Sequence, residues 1–380
     1  MRHPILVLIK AITLLLFINT LSFAQELTPP EPISMAGQFA PAFGSESIVK
    51  ARYTVKADGS VDAIQLDELL MANQFVRTQI RSTVNAWTYK PATVDGSPVD
   101  YHNQEFIFAL RMNPNAPSPA GGPGQRGGRG RGNQSQGDED GAPAFDPAAM
   151  EPIQLALSET IKEAFTEINT LIQAGDYDKA TREIRNRLRR NAITVFDYAL
   201  LQTLNADNLM AQNDLYAALE ALKLATLTAL NPRGEEYFFL TEDILEIALR
   251  KKFIVSETLR QHELALATYK QLQENFDISN DEQLSELVNT SQAALDSADP
   301  LPLLTKIVED NWSFRPSRRI FTVSNVEGRL NDIELLCERR NLEVKYEENV
   351  DWTLPASLGE CELNFKGRDG TTFVVYQFAE

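Results

Sequence analysis

The stretch Gly121-Gly-Pro-Gly-Gln-Arg-Gly-Gly-Arg-Gly-Arg-Gly132 limits what this chain can fold into more than any other feature. A run made mostly of glycine and arginine has no side chains with which to bury a core. Whatever folds before it is expected to fold apart from whatever follows. The wider segment from Pro114 to Ala149, which ends beyond Asp138-Glu-Asp140, reads as a flexible coil holding its ends roughly 35 Å apart on average. Its Arg-Gly repeats also fit an RNA-binding tail, but a formal net charge of −17 over 380 residues opposes nucleic acid and anionic membrane surfaces through the average field. At 43% hydrophobic the chain has material for more than one core, and two or three domains are expected.

The N-terminus carries the pattern of an export signal. Arg2 and Lys10 bracket an apolar stretch, Ala11 to Ile18 continues it, and Ser22-Phe23-Ala24 offers the small residues a signal peptidase needs. Residues 1–24 are therefore expected to be removed after Ala24, leaving the mature protein in the periplasm. Lys10 and Asn19-Thr20 keep the apolar run below the roughly 20 residues that span a bilayer, and no later span is expected. A retained, uncleaved anchor is the alternative. Export would bring Cys337 and Cys361 into an oxidising space, where a disulfide is the expected state and two buried free thiols the competing one.

Between residues 33 and 113 the patterns read strand, strand, helix, strand. Val49, Ala51, Tyr53 and Val55 alternate with Lys50, Arg52 and Thr54, Asp58-Gly59 signals a type I′ turn, and Val61 to Leu66 alternates again. Phe75, Val76, Ile80 and Val84 then fall at helical spacing over Asn73 to Ala86. That helix delivers Trp87-Thr-Tyr89-Lys-Pro91-Ala92, in which the aromatic pair can fill the gap between helix and sheet while Pro91 forces the exit. Gln104 to Arg111 supplies a last strand with Phe106, Phe108 and Leu110 on one face.

These residues, Tyr53-Thr-Val-Lys-Ala-Asp58-Gly59-Ser-Val61, the helix, the Trp87 to Ala92 element and the closing aromatic strand, resemble the C-terminal domain of TonB-type energy transducers over about residues 39–112. The resemblance implies a small α/β sandwich with Asp58, Gly59, Trp87, Tyr89 and Pro91 as its signature. It also implies that a protein or peptide, an outer-membrane TonB-dependent receptor in that family, adds as a strand to the sheet edge. Gln104, Phe106, Phe108 and Leu110 mark the strand expected to accept it. Phe39-Ala-Pro41-Ala-Phe43 stands where that family has Tyr-Pro, and a long Pro-rich spacer is absent.

Residues 150–299 are expected to be helical throughout. Gly175-Asp-Tyr177-Asp-Lys-Ala180 and Asn213-Asp-Leu-Tyr216-Ala-Ala218 repeat at a spacing near 38, with a vaguer echo at Leu264 to Leu272. Stacked helical pairs similar to tetratricopeptide repeats are expected, with a plain bundle as the alternative. Residues 300–380 open with Pro300 and Pro302, a short helix from Leu303 to Asp310, and a second motif, Trp312-Ser-Phe314-Arg-Pro316. Strands follow at Ile320 to Val323, Leu330 to Leu336, Leu342 to Tyr346, Cys361 to Phe365 and Thr371 to Phe378, predicting an antiparallel β domain stapled by its cysteines. The expected class is thus multi-domain α+β.

Chemistry is weakly signalled. His102 and His262 are the only histidines after the signal, too few for a histidine metal site, and His262-Glu263 lacks the second histidine of a zinc-protease helix. His262 reads as an exposed helix residue. Ser47-Ile-Val-Lys50 matches Ser-x-x-Lys by chance, at the start of a strand and without its companion motifs. No cofactor, catalytic or metal-ligating set is expected. The leading expectation is a non-enzymatic periplasmic protein-binding protein acting by strand addition. An envelope scaffold working through its helices, an anchored energy transducer and a cell-envelope hydrolase are the alternatives.

Overall fold

The computed structural model describes residues 27–35, 46–70, 72, 74–110, 159–189, 193–230 and 236–379. The expected export signal and the Gly/Arg segment lie outside them. Among the described residues the protein is mixed α/β, with eight α-helices and several antiparallel sheets. No helix there is long and apolar enough to cross a membrane.

The first region runs β1 (Leu27–Thr28), β2 (Glu31–Ser34), β3 (Ser47–Val55), β4 (Val61–Leu70), α1 (Gln74–Asn85), β5 (Thr88–Lys90), β6 (Ala92–Val94), β7 (Ser97–Val99) and β8 (Tyr101–Leu110). Its main sheet has the order β4-β3-β8. The period of two in β3 decides what each face touches. Val49, Ala51, Tyr53 and Val55 face α1 and share a core with Val76, Ile80, Val84, Trp87 and Phe108. Ile48 points the other way, into a second core built by the helices. The β3–β4 turn departs from the expected type I′: Gly59 alone takes positive φ, at 83°, and its N–H donates to the Lys56 carbonyl at 2.8 Å. That is the type I turn followed by a left-handed glycine, favoured once the loop is longer than two residues. Asp95 and Gly96 both take positive φ and make the two-residue turn between β6 and β7.

Three helical hairpins follow: α2 (Glu159–Gln173) with α3 (Tyr177–Leu188), α4 (Val195–Ala211) with α5 (Leu215–Ala225), and α6 (Glu242–Thr258) with α7 (His262–Asn275), before α8 (Glu282–Asp296). The helices are interrupted by a short hairpin of β9 (Thr228–Leu230) and β10 (Glu236–Phe238). Unbroken helix was expected there, although Asn231-Pro232 and Gly234 are turn signals that end a helix. Thr194 caps α4 in a full capping box with Asp197, and Asp214 and Asp281 cap α5 and α8. Each such cap is worth about 1 kcal/mol.

The last region is all β. Sheets β11-β18-β13-β16 and β12-β17-β14-β15 are made of β11 (Leu301–Lys306), β12 (Asn311–Phe314), β13 (Ile320–Glu327), β14 (Leu330–Cys337), β15 (Asn341–Lys345), β16 (Asp351–Thr353), β17 (Cys361–Gly367) and β18 (Thr372–Phe378). Both sheets share one core holding Trp312, Phe321, Ile333, Phe365, Phe373 and Val375. The helix expected from Leu303 to Asp310 is a strand instead. Leu301, Leu303 and Thr305 are buried alternately, and an edge position lets Pro302 do without a donor. Trp312 therefore lies inside a strand, whereas Trp87 follows a helix, so the two Trp motifs occupy different settings. Cys337 and Cys361 are directly opposed on β14 and β17 and form the expected disulfide.

The three regions touch. Glu46, just before β3, accepts the Val195 N–H at 2.6 Å and places a carboxylate at the start of α4. Lys306 reaches Asp214 at 2.8 Å. Arg318 donates to the Leu295, Ser297 and Asp299 carbonyls, closing the end of α8 against the β region.

Candidate functional site

The residues of the Trp87 motif come together as a packing unit. Trp87, 2% exposed, meets Tyr53 and Phe106 edge-on and stacks on Phe108. The Tyr53 and Tyr89 hydroxyls lie 2.7 Å apart. Burial, and then the Tyr89 hydroxyl, push the Tyr53 phenol well above its ordinary range, so it stays neutral. Asp58 accepts from the Ser60 N–H and hydroxyl, shaping the turn. Ser47 and Lys50 lie on β3, with Lys50 paired to Glu105 at 2.8 Å.

The strand expected to accept a partner, β8, ends its own three-stranded sheet. Phe108 and Leu110 are buried in the core and Phe106 packs against it, while Gln104 is half-buried. The outer edge of β8 meets other parts of the chain. The His102 N–H donates to the Glu338 carbonyl at 2.7 Å, and the Tyr101 hydroxyl donates to Glu338 Oε1 at 2.7 Å. Asn103, at φ 58°, sends Nδ2 to the Cys337 carbonyl and to Asn341 Oδ1. Further along, β9 lies against β8. The tip of the β14–β15 hairpin thus holds the first part of this edge.

A concave surface lies elsewhere, where the turn before α7, the first part of α7, Lys223 of α5 and Leu295 of α8 face the β region. It encloses about 650 Å³, within the size range of ligand-binding clefts. Its apolar lining comes from Leu264, Leu301, Leu303, Phe314, Pro316 and Leu354, and four residues of the second Trp motif, Ser313 to Pro316, line it. Its polar wall holds Lys223, Arg260, Arg315, Arg318 and Arg319 against the acidic Glu263 and Glu360. A cationic cleft stands in an acidic protein. Among the described residues no His, Cys, Asp and Glu cluster could hold a metal ion.

Arg260 owes its place to a repeated turn. The residues Gly175, Asn213 and Arg260 have φ of 76°, 60° and 59°, and each stands two residues after one helix ends and two before the next begins. Each is followed by a residue whose N–H donates back to a helical carbonyl, in the pairs Asp176 to Leu171, Asp214 to Leu209 and Gln261 to Ser256. This is the Schellman closure, which favours glycine or asparagine at the left-handed position. Arginine there costs about 1 kcal/mol or more. At Gly175 an added Cβ would meet open space, so a side chain at this turn position leaves the helices. Arg260 extends from it into the cleft wall.

Glu263, in the first turn of α7, is pushed up to about 7, by burial and then by the charge of Glu360. Its side chain remains open to solvent at the cleft mouth, so the walls crowd it without enclosing it. Glu360 sits at the rim beside the disulfide, and its N–H donates to Glu338 Oε2 at 3.0 Å. His262 is 13% exposed, contrary to the exposed residue expected, because Nδ1 reaches Glu257 at 3.1 Å and Ser291 at 3.2 Å between three helices. Neither Arg260 nor Arg315 is expected from the sequence to form a site, and Glu263 enters there only in the incomplete His262-Glu263 pattern. Aligning the three helix turns would have found Arg260, where a charged side chain replaces Gly and Asn.

No family model matches the chain, and no curated protein matches it at a significant level.

Proposed function

We infer that this protein is a non-enzymatic binding protein of the cell envelope that takes a segment of a partner protein in the cleft between its helical hairpins and its β region. The observation that carries this reading is the 650 Å³ cleft with an apolar lining and a cationic wall, the kind of surface that buries a ligand while a few polar groups orient it. The export signal pattern supports a partner in the periplasm. The helical hairpins, read as a tetratricopeptide-like array, would supply one wall and the disulfide-bonded β region the other. Strand addition at Gln104 to Leu110, as in TonB-type transducers, would compete with β9, which lies against β8. A photo-crosslinking residue at Ala267 in the cleft, compared with one at Gln104 and one at Glu274, tests the reading. Crosslinks to a partner from Ala267 alone are expected. Crosslinks from Gln104 alone would move the site to the β8 edge.

A second reading is hydrolysis of an envelope polymer, favoured by one observation. Glu263 in the cleft is pushed up to about 7 beside Glu360, a pairing that suits a general acid. Turnover of cell-wall fragments that disappears in Glu263→Gln would support it, and absence of turnover by the unmodified protein would dismiss it.

A further inference from the structure

We propose that the cleft selects an acidic peptide segment, whose carboxylates are held between Arg260 on the helical side and Arg315 on the β side. This rests on the cleft reading above and names its ligand class. The cations of the wall are unequally engaged. Arg318 is committed to backbone carbonyls, Lys223 to Glu220 at 2.7 Å, and Arg319 also has a partner. Arg260 and Arg315 are exposed and make no side-chain hydrogen bond or salt bridge with any described residue. A guanidinium that faces a cleft without a carboxylate partner is suited to binding one in a bidentate fork.

An independent observation points the same way. Arg260 occupies a left-handed turn position that the two equivalent turns fill with Gly175 and Asn213. Backbone preference alone would place glycine or asparagine there, so the strain is compensated by what the side chain does. The two free arginines belong to different regions that line one cleft together with apolar residues. A ligand that uses both needs two separated anionic groups and an apolar or backbone middle. The cleft holds roughly twenty times the volume of one liquid water, far more than a single small anion fills. A peptide with spaced Asp or Glu residues meets these requirements. The net charge of −17 opposes the extended polyanion of a nucleic acid.

The test is fluorescence anisotropy on the full chain with its disulfide intact, using a short labelled peptide that alternates Glu and Ala and a Lys/Ala counterpart. The acidic peptide is expected to bind, more weakly as salt rises, and the basic one not to bind. Arg260→Gly and Arg315→Ala should each weaken binding by about tenfold, and Arg260→Gly should at the same time raise the melting temperature, because glycine relieves the left-handed turn. A merely structural role for Arg260 predicts the thermal gain without the binding loss. Unchanged binding by the double variant, equal binding of the basic peptide, or full displacement by inorganic phosphate alone would overturn the proposal. The variant Ser313→Trp, which narrows the cleft while the photo-crosslinking residue stays at Ala267, separates the two levels. If it abolishes partner crosslinking while Arg260→Gly does not, the cleft reading stands and the acidic ligand is wrong. If it has no effect either, both fail.

Discussion

A Cβ placed on Gly59 would lie 2.1 Å from the carbonyl oxygen of Tyr89. The same two residues share a hydrogen bond, from the Tyr89 N–H to the Gly59 carbonyl at 2.9 Å. The hairpin turn and the Trp87 motif, 28 positions apart by number, are thus pressed backbone to backbone. Gly59→Ala must relieve a clash with backbone, which cannot rotate away, and must also adopt φ near 83°. A loss on the order of 2–4 kcal/mol is expected in urea unfolding of the full chain. Gly370, with φ 82° and nothing near its missing Cβ, provides the control in which only the turn conformation is penalised.

Tyr101 and Glu338 join the first region to the last. One carboxylate oxygen of Glu338 accepts the Tyr101 hydroxyl and the other accepts the Glu360 N–H. Burial, and then the Glu338 carboxylate, hold the Tyr101 phenol above its ordinary range. A double-mutant cycle with Tyr101→Phe and Glu338→Gln should return a coupling of about 1–2 kcal/mol. Amide exchange in either variant should quicken at His102 and remain slow in the centre of β3, since only the β8 edge is released.

Lys252, 7% exposed on α6, has Thr226 Oγ1 as its hydrogen-bond partner at 3.2 Å. Burial, and then the charge of Lys223, lower it from 10.5 to about 8. Between these two values the unfolded chain holds the proton that the folded chain has lost, so stability rises with pH across that window. The full effect is on the order of 3 kcal/mol. Lys252→Met should stabilise the protein at neutral pH by roughly 1–4 kcal/mol. The difference between wild type and variant should shrink from pH 8 to 10.5, read by thermal melts at each pH.

For Glu263 the sign is opposite. Its folded value of about 7 exceeds the ordinary 4.5, so the folded state keeps a proton that the unfolded state gives up, and stability falls as pH rises through this window. Solvent at the cleft mouth screens the effect to on the order of 1 kcal/mol or less. Binding of an acidic peptide should strengthen below pH 7, where Glu263 is neutral and Glu360 alone opposes it. In Glu263→Gln that dependence should flatten, with the tight value kept above pH 7; a steep dependence retained by the variant would assign the titration to another group.

Legibility followed the range of the interaction. The alternation over Ser47 to Val55 and the spacing of Val76, Ile80 and Val84 yield β3 and α1 within one residue, while β4 runs four residues past the expected Leu66. Gly175-Asp and Asn213-Asp identified two helix turns because Gly and Asn are cheap in the left-handed conformation. The third turn was missed for the converse reason: Arg260 carries no turn signal. The helix expected from Leu303 to Asp310 gives way to a strand at Leu301–Lys306 because a short apolar run has no period that separates the two; pairing with β18 settles it.

The sequence by itself determined most of the elements, the turns that need glycine and the cysteine pair available for bridging. These depend on neighbours within a few positions and on local backbone preference. Tertiary structure alone decided that the hairpin tip near Glu338 covers the start of β8, and that Arg260 and Arg315 face one cleft from two regions. Such pairs are separated by dozens to hundreds of residues. Their meeting follows from how the cores pack, and no local pattern records it.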